Sequence, residues 1–248
     1  MNNTIRFSGK AEIYAKARPD YAAGLFAYMK ESLHISEGCV IADIGSGTGI
    51  FSRQLLRNGY NVFAVEPNAD MRKKAEEMLS EYQGFVSVDG MDSNTNLPDK
   101  SMDHVTAAQA FHWFDADAFK KECRRILKPN GKIIIVYNSF DESADSNKAL
   151  ADIRRKYCPD FQGFCNGMND EKCCAFFNGK CSVFRIDNSK KYDLHGYINR
   201  VLSSSHSLKE SDERYGEYLE DVNELFNTFS KDGMVTVPMS TVAYAGTV

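Results

Sequence analysis

Residues 41–51 read IADIGSGTGIF. An apolar run ends in Asp43, and Gly45, Gly47 and Gly49 follow at alternate positions before a helical pattern begins. That order describes a β-strand, a tight glycine turn and a helix N-terminus. Glycine tolerates positive φ and lets a ligand approach the backbone with no Cβ in the way. The start of a helix offers unpaired N–H groups. The spacing is GxGxG, which differs from the GxGxxG of a pyrophosphate-binding turn.

Working outward, a second apolar run, Asn61 to Val65, ends in Glu66, where a carboxylate can accept both hydroxyls of a ribose. The acid before the turn, the turn itself and this ribose acid together resemble the S-adenosylmethionine site of class I methyltransferases. The resemblance implies a ligand with an ammonium group and no pyrophosphate. Asp43, beside the glycines, suits such a ligand and would repel a phosphate.

The same grammar continues down the chain. Thr48 to Asn58 reads as a helix with Phe51 and Leu55 inward. Pro67 turns the chain into a second helix, striped by Met71, Ala75, Met78, Leu79 and Tyr82. Phe85 to Val88 is a third strand, ending at Asp89 and Gly90. Met102 to Ala110 is a fourth, followed by Phe111, His112, Trp113 and Phe114. Asp115 caps the next helix, which carries Phe119, Cys123 and Leu127 and stops at Lys128-Pro129-Asn130-Gly131. Lys132 to Tyr137 is a strongly β-branched fifth strand. Strands alternating with helices predict an α/β, Rossmann-like, mostly parallel sheet with helices on both faces. Ligands in such sheets lie beyond the carboxyl ends of the strands. Gly45, Glu66, Gly90 and the Gln109 to Trp113 segment all fall at that edge.

The flanks are less regular. YAKARPDY, Tyr14 to Tyr21, precedes a helical pattern of Leu25, Phe26, Met29 and Leu33, with Pro19 as its opening residue. It reads either as a surface helix or as a flap over the ligand, with Arg18 pairing a carboxylate. Residues 140–180 are polar, rich in cysteine and dotted with aromatics. They are expected to form a small cap insertion within a single domain spanning residues 1–248. Cys181 to Ile186 reads as a sixth strand and Leu194 to Ser203 as a helix. Ser207 and Glu210 suggest a capping box for a long helix through Tyr215, Leu219, Val222, Phe226 and Phe229. Met234 to Val248 supplies a last strand, with an edge or bulge expected at Pro238.

The composition excludes several classes. In 248 residues, 43% are hydrophobic, enough for an ordinary core, and the net charge of −4 argues against a broad nucleic-acid-binding face. No run reaches the length of a transmembrane helix, and the first ten residues hold no apolar signal region. A cytoplasmic protein is expected, with no membrane or nucleic-acid partner and with its oligomeric state open. Five of the seven cysteines fall between Cys158 and Cys181, without a CxxC pair. Reduced thiols and no metal site are expected.

By Phe111 to Asp115 the resemblance is specific. The chain resembles small-molecule class I methyltransferases of the type-11 group, close to the trans-aconitate-methyltransferase-like proteins. The motifs that carry it are YAKARPDY at Tyr14, DIGSGTG at Asp43, VEPNADM at Val65, LPDKSMDHVTAAQAFHWFD at Leu97 and ILKPNGKIIIVYN at Ile126. The resemblance implies a seven-stranded sheet whose last strand runs antiparallel. It implies that Gly45, Ser46 and Gly47 hold the methionine part of S-adenosyl-L-methionine, with Asp43 fixing the turn. Glu66 would bind the ribose, Pro67 and Met71 would flank the adenine, and Gly90, Met91 and Asp92 would meet its edge. Gln109 would face the sulfonium. Asp92-Ser93 stands where many relatives have Ala-Glu, and His206 where a Tyr is common.

A sulfonium methyl is electrophilic on its own, so alignment and exclusion of water dominate. The expected reaction is an in-line displacement onto a small-molecule acceptor. His112 is the candidate catalytic residue, as a general base or an orienting hydrogen bonder. Trp113 is expected to face the sulfonium through a cation–π contact, or else to fill the core. Arg18 would attract an acidic substrate or the cofactor carboxylate, and Tyr14 and Tyr21 would donate at the pocket mouth. The competing readings are a non-catalytic binder of the same cofactor, a nicotinamide oxidoreductase, and a methyltransferase acting on RNA or protein.

Overall fold

The structure is a computed structural model. It describes residues 12, 18–164, 168–204 and 206–248. Tyr14 and Cys165 lie outside the described residues. Chain order is α1 (Gly24–Glu31), β1 (Val40–Ile44), α2 (Ile50–Arg57), β2 (Asn61–Val65), α3 (Ala69–Leu79), β3 (Phe85–Val88), β4 (Met102–Ala108), α4 (Ala116–Ile126) and β5 (Leu127–Phe140). Then come α5 (Asp145–Tyr157), α6 (Asp170–Phe176), β6 (Ser182–Asp187), β7 (Lys190–Tyr192), α7 (Leu194–Leu202), α8 (Tyr215–Phe229), β8 (Val235–Val237) and β9 (Met239–Gly246).

Seven strands form one sheet in the order β3-β2-β1-β4-β5-β9-β6. β1 pairs in parallel with β2 and β4, and β4 in parallel with β5. β9 enters antiparallel between β5 and β6. The order reverses between β1 and β4, which places their carboxyl ends at a topological switch point. β-branched runs such as Ile133 to Val136 are fully buried, as strands covered on both faces require. One face packs on Phe119 and Cys123 of α4, joined by Cys173 and Phe176 of α6. The other packs on Leu25 and Met29 of α1 and Phe51 and Leu55 of α2. A third apolar cluster, with Tyr157, Tyr197, Tyr218 and Phe226, joins α5, α7 and α8 to the two-stranded antiparallel β7–β8 sheet.

Several expectations are corrected. The helical layer is not confined to residues 140–180: α6 packs on the sheet, while α7, α8 and β8 complete the third cluster. Pro19 does not open α1, which starts at Gly24; Tyr21 and Gln54 instead exchange hydrogen bonds of 2.9 Å through their backbone and side-chain amide. Lys128 to Gly131 is a register shift inside β5, since Met102 pairs with Leu127 and His104 with Lys132. Pro238 divides the last apolar stretch between two sheets, because it cannot donate to either ladder. Ser207 does not cap α8; its hydroxyl donates to Leu202 O at 2.8 Å, closing α7. Cys174 and Cys181 form a disulfide, whereas Cys39, Cys123, Cys158 and Cys173 are free thiols. Among the described residues, no helix is long and apolar enough to cross a membrane.

Phe119 is the keystone of the first face. It is fully buried, with Phe114 at 4.9 Å and Phe176 at 5.5 Å between ring centroids. Phe119→Ala is expected to lower unfolding free energy by about 3–5 kcal/mol in urea titration. A loss below about 1 kcal/mol would mean that this face is not close-packed.

Candidate active site

β1 delivers Asp43 to the edge of the sheet with its side chain fully buried. Its Oδ2 accepts from Ser52 Oγ at 2.6 Å and its Oδ1 from Thr106 Oγ1 at 2.9 Å. Burial pushes its pKa up to about 6, against the two hydroxyls, and the charge of Glu66 adds to the rise. The chain then turns through glycines at positive φ, with Gly45 at 70°, Gly47 at 56° and Gly49 at 79°. A Cβ on Gly45 would stand 2.6 Å from the Ala110 Cβ. Beside Gly47 there is open space: a Cβ there would meet nothing within 4 Å. Ser46 Oγ and Thr48 Oγ1 are buried without a hydrogen-bond partner and line the same cavity.

Glu66 holds the turn from the next strand. Its Oε2 accepts from Gly47 N and its Oε1 from Asn68 N, both at 2.9 Å. Burial raises its pKa, while the two amides and Arg72 oppose that rise. Asn68 caps α3 by accepting from Met71 N at 3.0 Å, so the residues around the carboxylate are fixed by a helix start. Asp92 is half-buried, with its pKa raised chiefly by burial, and its Oδ2 accepts from Asp115 N at 3.1 Å.

These groups share a cavity of about 360 Å³ with Pro67, Met71 and Met91. Arg18, Tyr21, Gln109, Trp113, Asn138 and Arg200 line it as well. Gln109 sits at φ 53°, a strained backbone for a non-glycine residue, held by Gln109 N donating to Val136 O at 2.8 Å. Its Nε2 donates to Asn138 O at 3.1 Å.

Of the described candidate site residues, two are not on the wall. Gly90 is a packing glycine: a Cβ there would lie 2.5 Å from Thr95 O. His112 is also off the wall. Its backbone N donates to Tyr137 Oη at 3.1 Å, and its Nδ1 lies 3.4 Å from the same hydroxyl. Burial first, then the charges of Arg18 and His206, lower its pKa to about 3. A base that weak accepts a proton poorly near neutral pH, so the geometry favours an orienting part for His112. Trp113 faces the cavity instead of filling the core.

Thr48, Asn68, Asn138 and Arg200 belong to the wall and were not singled out from sequence. Asn138 had a signal, since it is the polar residue that follows the apolar run of β5 at the ligand edge. Arg200 had none, because it comes from α7, whose approach to the sheet leaves no local pattern.

The profile of the Methyltransferase domain family matches residues 42–135. An uncharacterized methyltransferase-like protein of Schizosaccharomyces pombe is 25% identical over 232 residues, covering 81% of this chain and 87% of the relative. A protein of Anaeromyxobacter dehalogenans, provisionally described as a type II methyltransferase, superposes with a TM-score of 0.63 at 19% identity, covering 92% of this chain and 95% of that one. A phosphoethanolamine N-methyltransferase of Haemonchus contortus, solved with S-adenosylhomocysteine, superposes with a TM-score of 0.53 at 15% identity, over 98% of this chain and 56% of that one. The chain is an S-adenosylmethionine-dependent methyltransferase of α/β Rossmann-like fold.

The cavity fits that cofactor. Orphaned hydroxyls on Ser46 and Thr48, open space at Gly47 and buried acids at Asp43 and Glu66 are what a cationic, hydroxyl-rich ligand requires. The buried acids also generate a test. A carboxyl whose folded pKa is raised contributes stability below its unfolded pKa and loses it as pH rises through the folded value. For Asp43 that window runs from 3.8 to about 6. Asp43→Asn, without ligand, is therefore expected to gain on the wild type across that window, by up to roughly 3 kcal/mol. Urea titrations at pH 4 and pH 7 check it, and an unchanged difference between the two proteins contradicts the burial of an ionised Asp43.

Proposed function

We propose that this methyltransferase acts on a small-molecule acceptor held between the glycine turn and the helical layer, and that Glu66 binds the cofactor ribose. The observation that carries this reading is the make-up of the cavity wall. Asp43, Gly47 and Glu66 share it with Tyr21 from the N-terminal segment, Trp113 and Arg200 of α7. A wall assembled from separate parts of the fold suits a compact acceptor better than a polymer lying in a groove. The negative net charge agrees with that choice over RNA.

Bound S-adenosylmethionine supplies an electrophilic methyl group on a sulfonium. Ser46 and Thr48 would present their unpartnered hydroxyls to its amino-acid end, beside the open space at Gly47. Glu66 keeps lone pairs for the ribose beyond the two amides that it already accepts. Pro67, Met71 and Met91 offer apolar surface for the adenine, and Asp92 offers a carboxylate at its edge. Trp113 and Gln109, which line the same cavity, would exclude water and align the acceptor. His112 and the Tyr137 hydroxyl brace that wall from behind.

The reading is tested by incubating the protein and S-adenosylmethionine with small carboxylic acids, phenols and amines while S-adenosylhomocysteine release is followed. Turnover with one class and none with RNA or protein supports it; turnover only with a polymer contradicts it. Two further outcomes are expected. Glu66→Ala should weaken S-adenosylhomocysteine binding by roughly 1.5–3 kcal/mol in calorimetry, the worth of charge-assisted hydrogen bonds; unchanged affinity removes the ribose role. S-adenosylmethionine affinity should fall as pH drops below about 6 and Asp43 takes up a proton, with S-adenosylhomocysteine, which lacks the sulfonium charge, falling less. Equal falls for both ligands would show that Asp43 does not sense the sulfonium.

A further inference from the structure

Residues 19–22 belong to neither a helix nor a strand, yet Tyr21 and Ala22 are buried. Buried backbone groups outside regular structure need partners from elsewhere. Here side chains supply them. Asn188 Nδ2 donates to Asp20 O at 2.9 Å, and Ala22 N donates to Thr241 Oγ1 at 2.9 Å. The Gln54 side chain serves both Tyr21 N and Tyr21 O. Asn138 Nδ2 reaches Pro19 O at 3.3 Å and Asp20 O at 3.4 Å. Residues 18–22 thus form a strap fastened to the sheet, and Arg18, Pro19 and Tyr21 of it line the cofactor cavity.

Three of those side chains are also bound to one another. Asn138 follows the apolar run of β5 and stands opposite Thr241 in the antiparallel β5–β9 register. Its Oδ1 accepts from Thr241 Oγ1 at 2.6 Å and from Asn188 Nδ2 at 2.9 Å. Asn188 follows β6, and its own N–H donates to Met239 O at 2.9 Å. Thr241 is fully buried, and Asn138 and Asn188 nearly so. Polar groups at that depth are costly unless each is paired, and in a closed network each bond fixes the next. The Asn138 carbonyl meanwhile accepts from Gln109 Nε2 at 3.1 Å. Gln109 is the residue held at φ 53° just after β4. Asn138 therefore touches the strap through its side chain and Gln109 through its backbone. Asn138 and Gln109 line the cavity; Thr241 and Asn188 do not.

We propose that Asn138, Asn188 and Thr241 are positioning residues for methyl transfer, which hold the strap and Gln109 in one register so that Tyr21 and Gln109 are placed together on the cavity wall. This rests on the methyl-transfer reading above. Thr241 and Asn188 act only through Asn138 and the strap backbone. Loss of the Thr241 hydroxyl would leave Ala22 N and one lone pair of Asn138 without a partner, and the strap would open more often. Each opening lets bound cofactor leave and water enter, and both work against alignment of a methyl group with its acceptor.

The test uses the full chain with S-adenosylhomocysteine. Trp113, the one tryptophan of the chain and a cavity residue, reports release by stopped-flow fluorescence and water access by acrylamide quenching. Thr241→Val is expected to release S-adenosylhomocysteine about tenfold faster or more, with raised hydrogen exchange in the peptide bearing Tyr21 and Ala22 and stronger quenching of Trp113. Thr241→Ser keeps the hydroxyl and is expected to restore all three. Asn188→Ala is expected to behave like Thr241→Val, and it decides if that variant does not fold. Val222→Ala, in the third apolar cluster, controls for a general loss of stability and is expected to leave release unchanged. Unchanged release in Thr241→Val and Asn188→Ala, equal acceleration in Val222→Ala, or no restoration by Thr241→Ser overturns the positioning role. Raised exchange of the strap with unchanged release overturns it too, since the network would then fasten the chain without acting on the cavity. If the wild type binds no S-adenosylhomocysteine, the methyl-transfer reading fails instead, and exchange in the unliganded proteins still tests the fastening of the strap.

Discussion

Gly47 gives its amide hydrogen to the buried carboxylate of Glu66. That bond ties the turn after β1 to the end of β2, and the cavity takes its form from it. The second carboxylate oxygen holds Asn68, the cap of α3. A strand, a glycine turn and a helix start thus converge on one acid. Asp43 does the same deeper in, joining β1 to α2 through Ser52 and to β4 through Thr106. Both acids are kept from water, and burial raises the pKa of each. The fold tolerates this cost at the place where a cationic ligand can repay it.

The same cavity also carries positive charge. Arg18 and Arg200 line it, with Arg154 nearby, and aromatic rings hold two of the three guanidinium groups. Water exclusion by Trp113, Tyr21 and the aromatic stack then strengthens each interaction.

The sheet was legible from the sequence because its rules are local. IADIGSGTGIF, Asn61 to Glu66 and Lys132 to Tyr137 each declare a buried strand by their own composition, and alternation with amphipathic helices gives the parallel order. Asp43, Glu66 and Gln109 were legible for the same reason, as polar residues at the ends of apolar strands. The helical layer was not legible, because it is assembled from α5, α7, α8 and two short strands far apart in sequence, and its contacts follow no short period. Hence Arg200 and Arg154 carry no local signal, and Pro238, where an edge or bulge of one strand is expected, divides two strands. Gly90 stands off the cavity wall for another reason. A glycine at a strand end signals close approach, but here what approaches is the Thr95 backbone.

The most direct measurement is isothermal titration of the purified chain with S-adenosylmethionine and S-adenosylhomocysteine, beside NADH as a control for a pyrophosphate-binding turn. Micromolar binding of both adenosyl compounds, with no heat from NADH, is the predicted result. Binding of NADH, or no binding of either adenosyl compound, would contradict the assignment of the glycine turn and its two buried acids.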